Sequence, residues 1–235
     1  MPRRLLRAAG LAGLLSTGAG LAACGGGSST NGVEKKAPSA IVSASKQAAD
    51  TAASVHVSGT IASSTGAPTT FDINLVKGKG ARGTLSDNGV SFELIRIGGS
   101  IYLKGSPDFY RRFGGAAATL LKGRWLTGKT IAGSLASIGP ITDLPGFVDN
   151  ALTQPANTIL SKTATTTVAG QKVVQVKDAS GGTLSVAVTG KPYPTQIAKG
   201  GTSGGAIRFD HWDGVFPLAA PTDPVDIDRL QGAGK

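Results

Sequence analysis

The chain is poor in the residues from which most enzyme centres are built. Its 235 residues include one cysteine, two histidines and only two glutamates. A single cysteine excludes an internal disulfide, and two histidines leave little for a zinc site. A carboxylate pair for glycoside cleavage is not identifiable either, because Glu93 has Lys104 as its expected partner. We therefore expect no metal site, no cofactor and no catalytic residue.

Long hydrophobic runs are also missing. The longest apolar stretch, residues 8–23, is too short and too rich in Gly and Ala for a comfortable membrane span. Three arginines precede it, and small residues end it, which is typical of a secretory signal peptide. The sequence Leu21-Ala22-Ala23-Cys24 resembles a bacterial lipobox, in which the cysteine is diacylated and becomes the N-terminus. The alternative is an ordinary signal peptide with a stray cysteine.

Charge of one sign is in excess. The formal charge is +10, and removal of the signal peptide takes away three arginines. A basic surface near a bilayer attracts anionic lipid heads or wall polymers, but the same charge also serves plain solubility. Export and the scattered placement of the basic residues disfavour nucleic-acid binding.

Composition divides the chain into four parts. We expect a signal peptide at residues 1–23, a Gly/Ser-rich flexible tether at 24–37, one folded domain at 38–230 and a tail at 231–235. The folded part is long enough for a well-buried core. We therefore expect an exported protein that is anchored by lipid on the extracytoplasmic face of the cell membrane.

The folded part opens with a helical pattern over Pro38–Ser54 and then switches to strands with a period of two. Two turns fix a register. If Asn88-Gly89 and Gly98-Gly99 are two-residue hairpin loops, Leu85 faces Phe92 and Leu94 faces Leu103. Both turns assign the same residues to the apolar face and to the polar face of the sheet, and Glu93 lies opposite Lys104 on the polar face. Arg96 then lies on the apolar face, opposite Ile101.

Helical segments occupy the middle of the domain, and strands return after them. The helices include one that begins at Pro107, and they are rich in Ala, Gly and Leu. The whole pattern predicts roughly eight to ten strands with helices inserted midway, and hence one α+β domain.

Two short motifs have enzymatic alternatives that their surroundings disfavour. The segment Gly78–Gly83 matches GxGxxG, but a strand pattern follows it where a dinucleotide site needs a helix. The segment Gly201–Gly205 matches GxSxG around Ser203, and a strand pattern again replaces the required helix. Asp210 and His211 are close in sequence, but alternate strand positions point to opposite faces.

The order of elements resembles a family. A lipobox, a helix, five short strands, a helical insert and more strands is similar to the actinobacterial LppX/LprA/LprF/LprG lipoproteins, which share a half-barrel with the LolA and LolB carriers. The local likeness lies in Phe92–Lys104, in Trp125-Leu126 and in the turn Gly190–Pro194. The resemblance implies a curved antiparallel sheet with helices packed on its concave face around an apolar cavity for acyl chains.

This resemblance also implies a function and a set of site residues. The protein would bind or carry a lipid or lipoglycan in the cell envelope, without catalysis. The expected cavity residues are Phe71, Ile73, Leu85, Phe92, Leu94, Ile101, Leu103, Phe113, Leu120, Trp125 and Phe147. An anionic head group would meet Arg96, Arg112 or Arg124. The alternative is that these apolar side chains form a filled core and that the protein docks another envelope protein.

Overall fold

Alternating apolar residues along nine strands of six to eight residues build one continuous sheet. The structure is a computed structural model that describes residues 29–62, 67–87, 89–113, 118–134, 136–153, 158–201 and 204–232. The first run of strands comprises β1 (Ser54–Ile61), β2 (Thr69–Val76), β3 (Gly80–Asp87), β4 (Val90–Ile97) and β5 (Ser100–Gly105). The second run comprises β9 (Gln171–Asp178), β10 (Gly182–Ala187), β11 (Pro194–Lys199) and β12 (Gly205–Asp210).

Four strands of two or three residues extend the edges of this sheet. They are β6 (Leu126–Thr127), β7 (Leu160–Lys162), β8 (Thr166–Val168) and β13 (Val225–Asp226). The predicted eight to ten strands correspond to the nine long ones, because two-residue strands leave no period in the sequence.

The two runs of strands join where β1 pairs antiparallel with β12. Each run is otherwise a meander, and the described strands at the two edges, β13 and β7, do not pair with each other. The sheet is therefore curved, open and mostly antiparallel, so that the predicted α+β half-barrel is confirmed.

The register predicted from the two hairpin turns is confirmed. Asp87 pairs with Val90 and Ile97 with Ser100, as two-residue loops require. Glu93 lies opposite Lys104, and their side chains form an ion pair of 3.3 Å. Asn88 itself lies outside the described residues.

Two glycines on the concave face lie too close to a neighbouring strand to accommodate a side chain. A Cβ atom at Gly83 of β3 would overlap the carbonyl oxygen of Asp72, and one at Gly59 of β1 would lie 3.1 Å from the Phe71 ring. These positions pack strand against strand without a side chain between them. A side chain at either position would therefore press against the neighbouring strand.

Helices cover the concave face. They are α1 (Pro38–Thr51), α2 (Pro107–Phe113), α3 (Ala118–Leu121), α4 (Lys129–Ser134), α5 (Leu144–Leu152) and α6 (Ile227–Gly232), with 3-10 helices at Val33–Lys35 and Ala136–Thr142. Pro38 stands at the first position of α1, and Asp143 caps α5 by accepting a hydrogen bond from the Gly146 amide. No helix among the described residues is long and apolar enough to cross a membrane.

The chain joins the sheet before α1 begins. The Asn31 side chain donates hydrogen bonds to the carbonyls of Ala187 and Gly190, and Val33 is 2% exposed. The sheet end at which β1 begins and β10 and β12 end is called the Asn31 end below. Part of the stretch expected to be a tether is therefore docked onto the domain.

Candidate functional site

The space between the helices and the concave face is filled by one large apolar cluster. Helices α1 and α5 supply Ile41, Val42, Phe147 and Val148 to it, and the sheet supplies side chains from both runs of strands. Five of the expected cavity residues are buried in this cluster: Phe71, Ile73, Leu85, Leu94 and Phe147. They pack against one another as core side chains do.

A second, smaller cluster lies beside the first under α2 and α4. It contains Leu103, another expected cavity residue, with Tyr110, Leu126 and Ile131. Phe92 and Ile101 are half-buried and contact both clusters. The predicted lining is thus divided between two cores that meet along β4 and β5.

Two of the expected cavity residues, Leu120 and Trp125, belong to neither core. Leu120 is 80% exposed, so it lies on the surface of α3 and not against the sheet. Trp125 is half-buried, with the Lys104 ammonium 5.8 Å from its ring centroid. The side chains of Phe113 and Arg112 lie outside the described part of the chain.

Arg96 holds the helical layer to the sheet. Its guanidinium donates to the carbonyl of Gly139 at 3.2 Å and to the hydroxyl of Thr142 at 3.0 Å. Both partners belong to the 3-10 helix at Ala136–Thr142. The Nη1 atom of this arginine is therefore already bound to the protein, and the side chain is half-buried at the edge of the apolar face.

Arg124 lies at the surface beside the second cluster. Its carbonyl accepts a hydrogen bond of 2.8 Å from the buried Tyr110 hydroxyl, and its guanidinium is 3.4 Å from the Asp223 carboxylate. Burial raises the pKa of Tyr110, so this hydroxyl stays a donor at neutral pH. Arg96 contacts the 3-10 helix at Ala136–Thr142, whereas Arg124 contacts Asp223, so their described partners differ.

An opening into the main core lies between α1, α5 and the second run of strands, and we call it the apolar cleft. Its volume is about 50 Å³, which is below the 300–1,000 Å³ that is usual for ligand pockets. Its apolar lining consists of Val42, Ala151, Leu152, Leu160, Val176, Leu184 and Ile197. None of these residues was among those expected to line a cavity, although the alternation of apolar residues in the late strands was the available signal.

One polar atom lies under α1 without a partner. The Ser45 side chain is fully buried, and its hydroxyl finds no hydrogen-bond acceptor among the described residues. An unsatisfied buried hydroxyl costs about 1–3 kcal/mol. The interior between α1 and the sheet therefore contains one unpaired donor within an apolar surrounding.

A larger and more polar cleft of about 550 Å³ opens at the Asn31 end of the sheet. Tyr193 and Trp212 line it and stack with ring centroids 4.5 Å apart. Asp213 accepts hydrogen bonds from the Tyr193 hydroxyl, the Ala53 amide and Lys191, and these lower the pKa of Asp213 to about 2. We call this opening the polar cleft.

The two enzyme-like motifs have the surroundings that the sequence predicted. Residues 78–83 form the β2–β3 turn and the start of β3, so that no helix follows the glycines. Ser203 lies outside the described residues, and β12 follows it. Neither segment has the strand-to-helix geometry of the corresponding enzyme site.

Comparisons with known proteins yield structural matches alone. No protein-family model matches the chain, and no curated protein does. The crystal structure of LprF from Mycobacterium bovis matches with a TM-score of 0.55 and 16% identity over 83% of this chain and 99% of that one. The chain has the LprF fold. The lipoprotein LppX of Mycobacterium tuberculosis gives a TM-score of 0.49 and 15% identity over 77% of this chain and 98% of that one.

The match to LprF confirms the fold that the sequence resemblance implied. Almost the whole of LprF is matched, so the likeness includes the sheet and the helices on its concave face. A sequence identity of 16% supports a shared fold and does not indicate a shared function. What this chain binds has to be argued from its own residues.

Proposed function

We propose that the protein is an exported lipoprotein, anchored to the membrane through Cys24, which holds acyl chains of a lipid or lipoglycan between its helices and its concave face. The observation that carries the proposal is the apolar cleft, which lies between α1, α5 and the second run of strands and whose apolar side chains continue into the core. Each methylene group buried there contributes about 0.8 kcal/mol. A lipid is the class of ligand that gains most from such a surface.

Binding requires α5 to move. The core is packed, so an acyl chain inserts by separating α5 from α1 and the sheet. At the surface an ion pair of 2.7 Å between Lys46 of α1 and Asp149 of α5 holds the two helices together. Its carboxylate is largely exposed, so this pair contributes little to stability and opens readily. The unpaired Ser45 hydroxyl would then donate to an ester carbonyl of the lipid.

An anionic head group would stay near the surface. Arg96 is the basic side chain that already reaches the apolar face, and release of Thr142 would free its guanidinium for a phosphate or carboxylate. Arg112 and Arg124 remain candidates for the same role. In this mechanism the protein binds and releases its ligand without changing a covalent bond.

The packed core favours a second function. Because eight of the eleven expected cavity residues already belong to the two packed clusters, the protein could instead be an interaction module that docks another envelope protein. Such a module would use its convex face or its loops, and its interior would stay closed to lipid.

Lipid analysis of three variants separates the two functions. Each is prepared in its native host as the full chain with Cys24→Ala, so that no covalent lipid confuses the result, and is extracted for mass spectrometry. Ala151→Phe places a large side chain in the apolar cleft. Ser43→Phe adds the same side chain on an exposed position of α1 and serves as the matched control.

We expect a co-purified lipid at a ratio of about one per protein in the parent and in Ser43→Phe, and a severalfold lower ratio in Ala151→Phe. A parent protein that is folded and carries no lipid would contradict the proposal and favour the interaction module. Equal lipid in all three proteins would show that the lipid binds elsewhere.

A further inference from the structure

The two histidines of the chain meet on the convex face. They are 155 residues apart in the sequence, and the chain has no others. His56 lies in β1 directly opposite Asp210 of β12. Its neighbours Val55 and Val57 point into the core, so His56 points away from it.

The backbone at His211 brings the second imidazole to the same place. His211 follows β12 with a φ of 49°, a left-handed conformation that is uncommon for a residue with a side chain. It removes the strand alternation that would separate His211 from Asp210. Strain of this kind is often found at functional sites.

Both imidazoles converge on one carboxylate oxygen. The Oδ1 atom of Asp210 is 2.6 Å from Nδ1 of His56 and 2.7 Å from Nδ1 of His211. One donor atom from each of the three residues lies within 4.8 Å of the other two. Arg208 approaches the second oxygen of Asp210 at 3.4 Å and fixes the orientation of the carboxylate.

The chemistry of this donor set is that of a transition-metal site. Two imidazoles and a carboxylate, with positions left for water, are typical of open Zn²⁺ sites. Bonds of about 2.0–2.2 Å require donor atoms about 3.5 Å apart. His211 is 74% exposed, so its ring can make the small rotation that this requires.

A second carboxylate occupies the place of an outer-sphere partner. Nε2 of His56 lies 3.1 Å from Oδ1 of Asp72, on the side away from Asp210. A metal-bound histidine commonly donates its other ring N–H to a carboxylate, which orients the ring. The pair His56–Asp72 already has this arrangement.

We propose that His56, Asp210 and His211 bind a divalent transition-metal ion such as Zn²⁺, with Asp72 as the hydrogen-bond partner of His56. In the bound state the metal ion takes the place of the Nδ1 protons that link the two imidazoles to Asp210. Asp210 and His211 also line the polar cleft, so the remaining coordination positions face an opening of about 550 Å³. The site is separate from the core and does not depend on lipid binding.

Titration with Zn²⁺ and with Co²⁺ alone tests the site. The protein is the full chain with Cys24→Ala, which removes the one thiol. Calorimetry measures the stoichiometry of Zn²⁺, and the visible absorption of Co²⁺ reports its geometry. His211→Ala removes an exposed ligand, Asp72→Asn weakens the outer partner, and Asp223→Asn removes a distant exposed carboxylate as a control.

We expect one Zn²⁺ per chain in the parent and in Asp223→Asn, with tetrahedral Co²⁺ absorption. Asp72→Asn should lower the affinity about tenfold, and His211→Ala at least as much. Absence of stoichiometric binding in the folded parent would overturn the proposal. So would an affinity that stays the same in His211→Ala, whose fold is checked by its unfolding temperature.

Discussion

The polar side chains of this molecule are positioned either by strand register or by a residue with a positive φ. Glu93 and Lys104 are placed by strand register, and the sequence predicted them because a two-residue turn leaves one register. His211 and Asp213 have positive φ values of 49° and 58°. Nothing in the local pattern indicates that a histidine or an aspartate will adopt this conformation, so both were missed.

Asp178 is a residue whose contribution can be measured. Its Oδ1 atom accepts hydrogen bonds from the Ser180 hydroxyl at 2.7 Å, the Gly182 amide at 2.9 Å and the Ser180 amide at 2.7 Å, which ties the β9–β10 turn. These bonds lower the pKa of Asp178 below its ordinary value. The charged form is thus stabilised by folding.

We predict that Asp178→Ala lowers the free energy of unfolding by about 1 kcal/mol at pH 7. The contribution of the charge is complete above the ordinary pKa of an aspartate and is lost as pH falls through the lowered pKa. The gap between wild type and variant should therefore narrow in acid.

Chemical denaturation between pH 7 and pH 3 measures this gap. Asp178→Asn is the matched control, because its side-chain oxygen still accepts hydrogen bonds while the charge is gone. A gap that stays constant down to pH 3 in both variants would contradict the role assigned to the carboxylate.

Secondary structure elements were predictable where a periodic pattern of apolar residues continues over six or more residues. The strands β2 to β5 and the start of α2 at Pro107 follow from alternation, turn residues and a proline at the first helical position. The 3-10 helix at Ala136–Thr142 and the two-residue strands were not predictable, because they depend on contacts such as that of Arg96 with Thr142. The place of the apolar cleft depends likewise on how α1 and α5 cross the sheet.

We predict that Gly83→Ala destabilises the sheet by about 1–3 kcal/mol, because the new methyl group overlaps the Asp72 carbonyl and Ile73. Thermal unfolding measures the loss. Gly133→Ala is the control, since a Cβ there meets nothing within 4 Å and the residue lies in α4. In a helix this substitution should leave stability unchanged or raise it by up to about 1 kcal/mol. Equal effects of the two variants would refute a steric role for Gly83.

At the scale of the whole molecule, the domain has two faces with different chemistry. The concave face meets helices through apolar clusters, and the convex face carries the histidine–aspartate group. The sequence could predict the fold class, because the alternation of apolar residues along each strand is a local pattern. It could not predict which residues from distant strands meet, since β1 and β12 are far apart in the sequence.

The expected location of the protein in the cell can be tested by changing Cys24. We expect wild-type protein in the membrane fraction of its host and Cys24→Ala in the soluble fraction, because two acyl chains are needed for stable anchoring. Fractionation followed by immunoblotting measures the distribution, with Ser28→Ala as a control that keeps the cysteine. A Cys24→Ala protein that remains in the membrane would disprove the anchor.

The hydrogen bonds of Asn31 have a consequence for orientation. Six residues separate Asn31 from Cys24, so an acylated Cys24 and the docked Asn31 are at most about 25 Å apart. If Cys24 is acylated as proposed, a tether of this length would restrict the tumbling of the domain and would turn the Asn31 end of the sheet toward the head groups. Any molecule that arrives from the bilayer would then meet the mouth of the polar cleft, which opens at that end of the sheet.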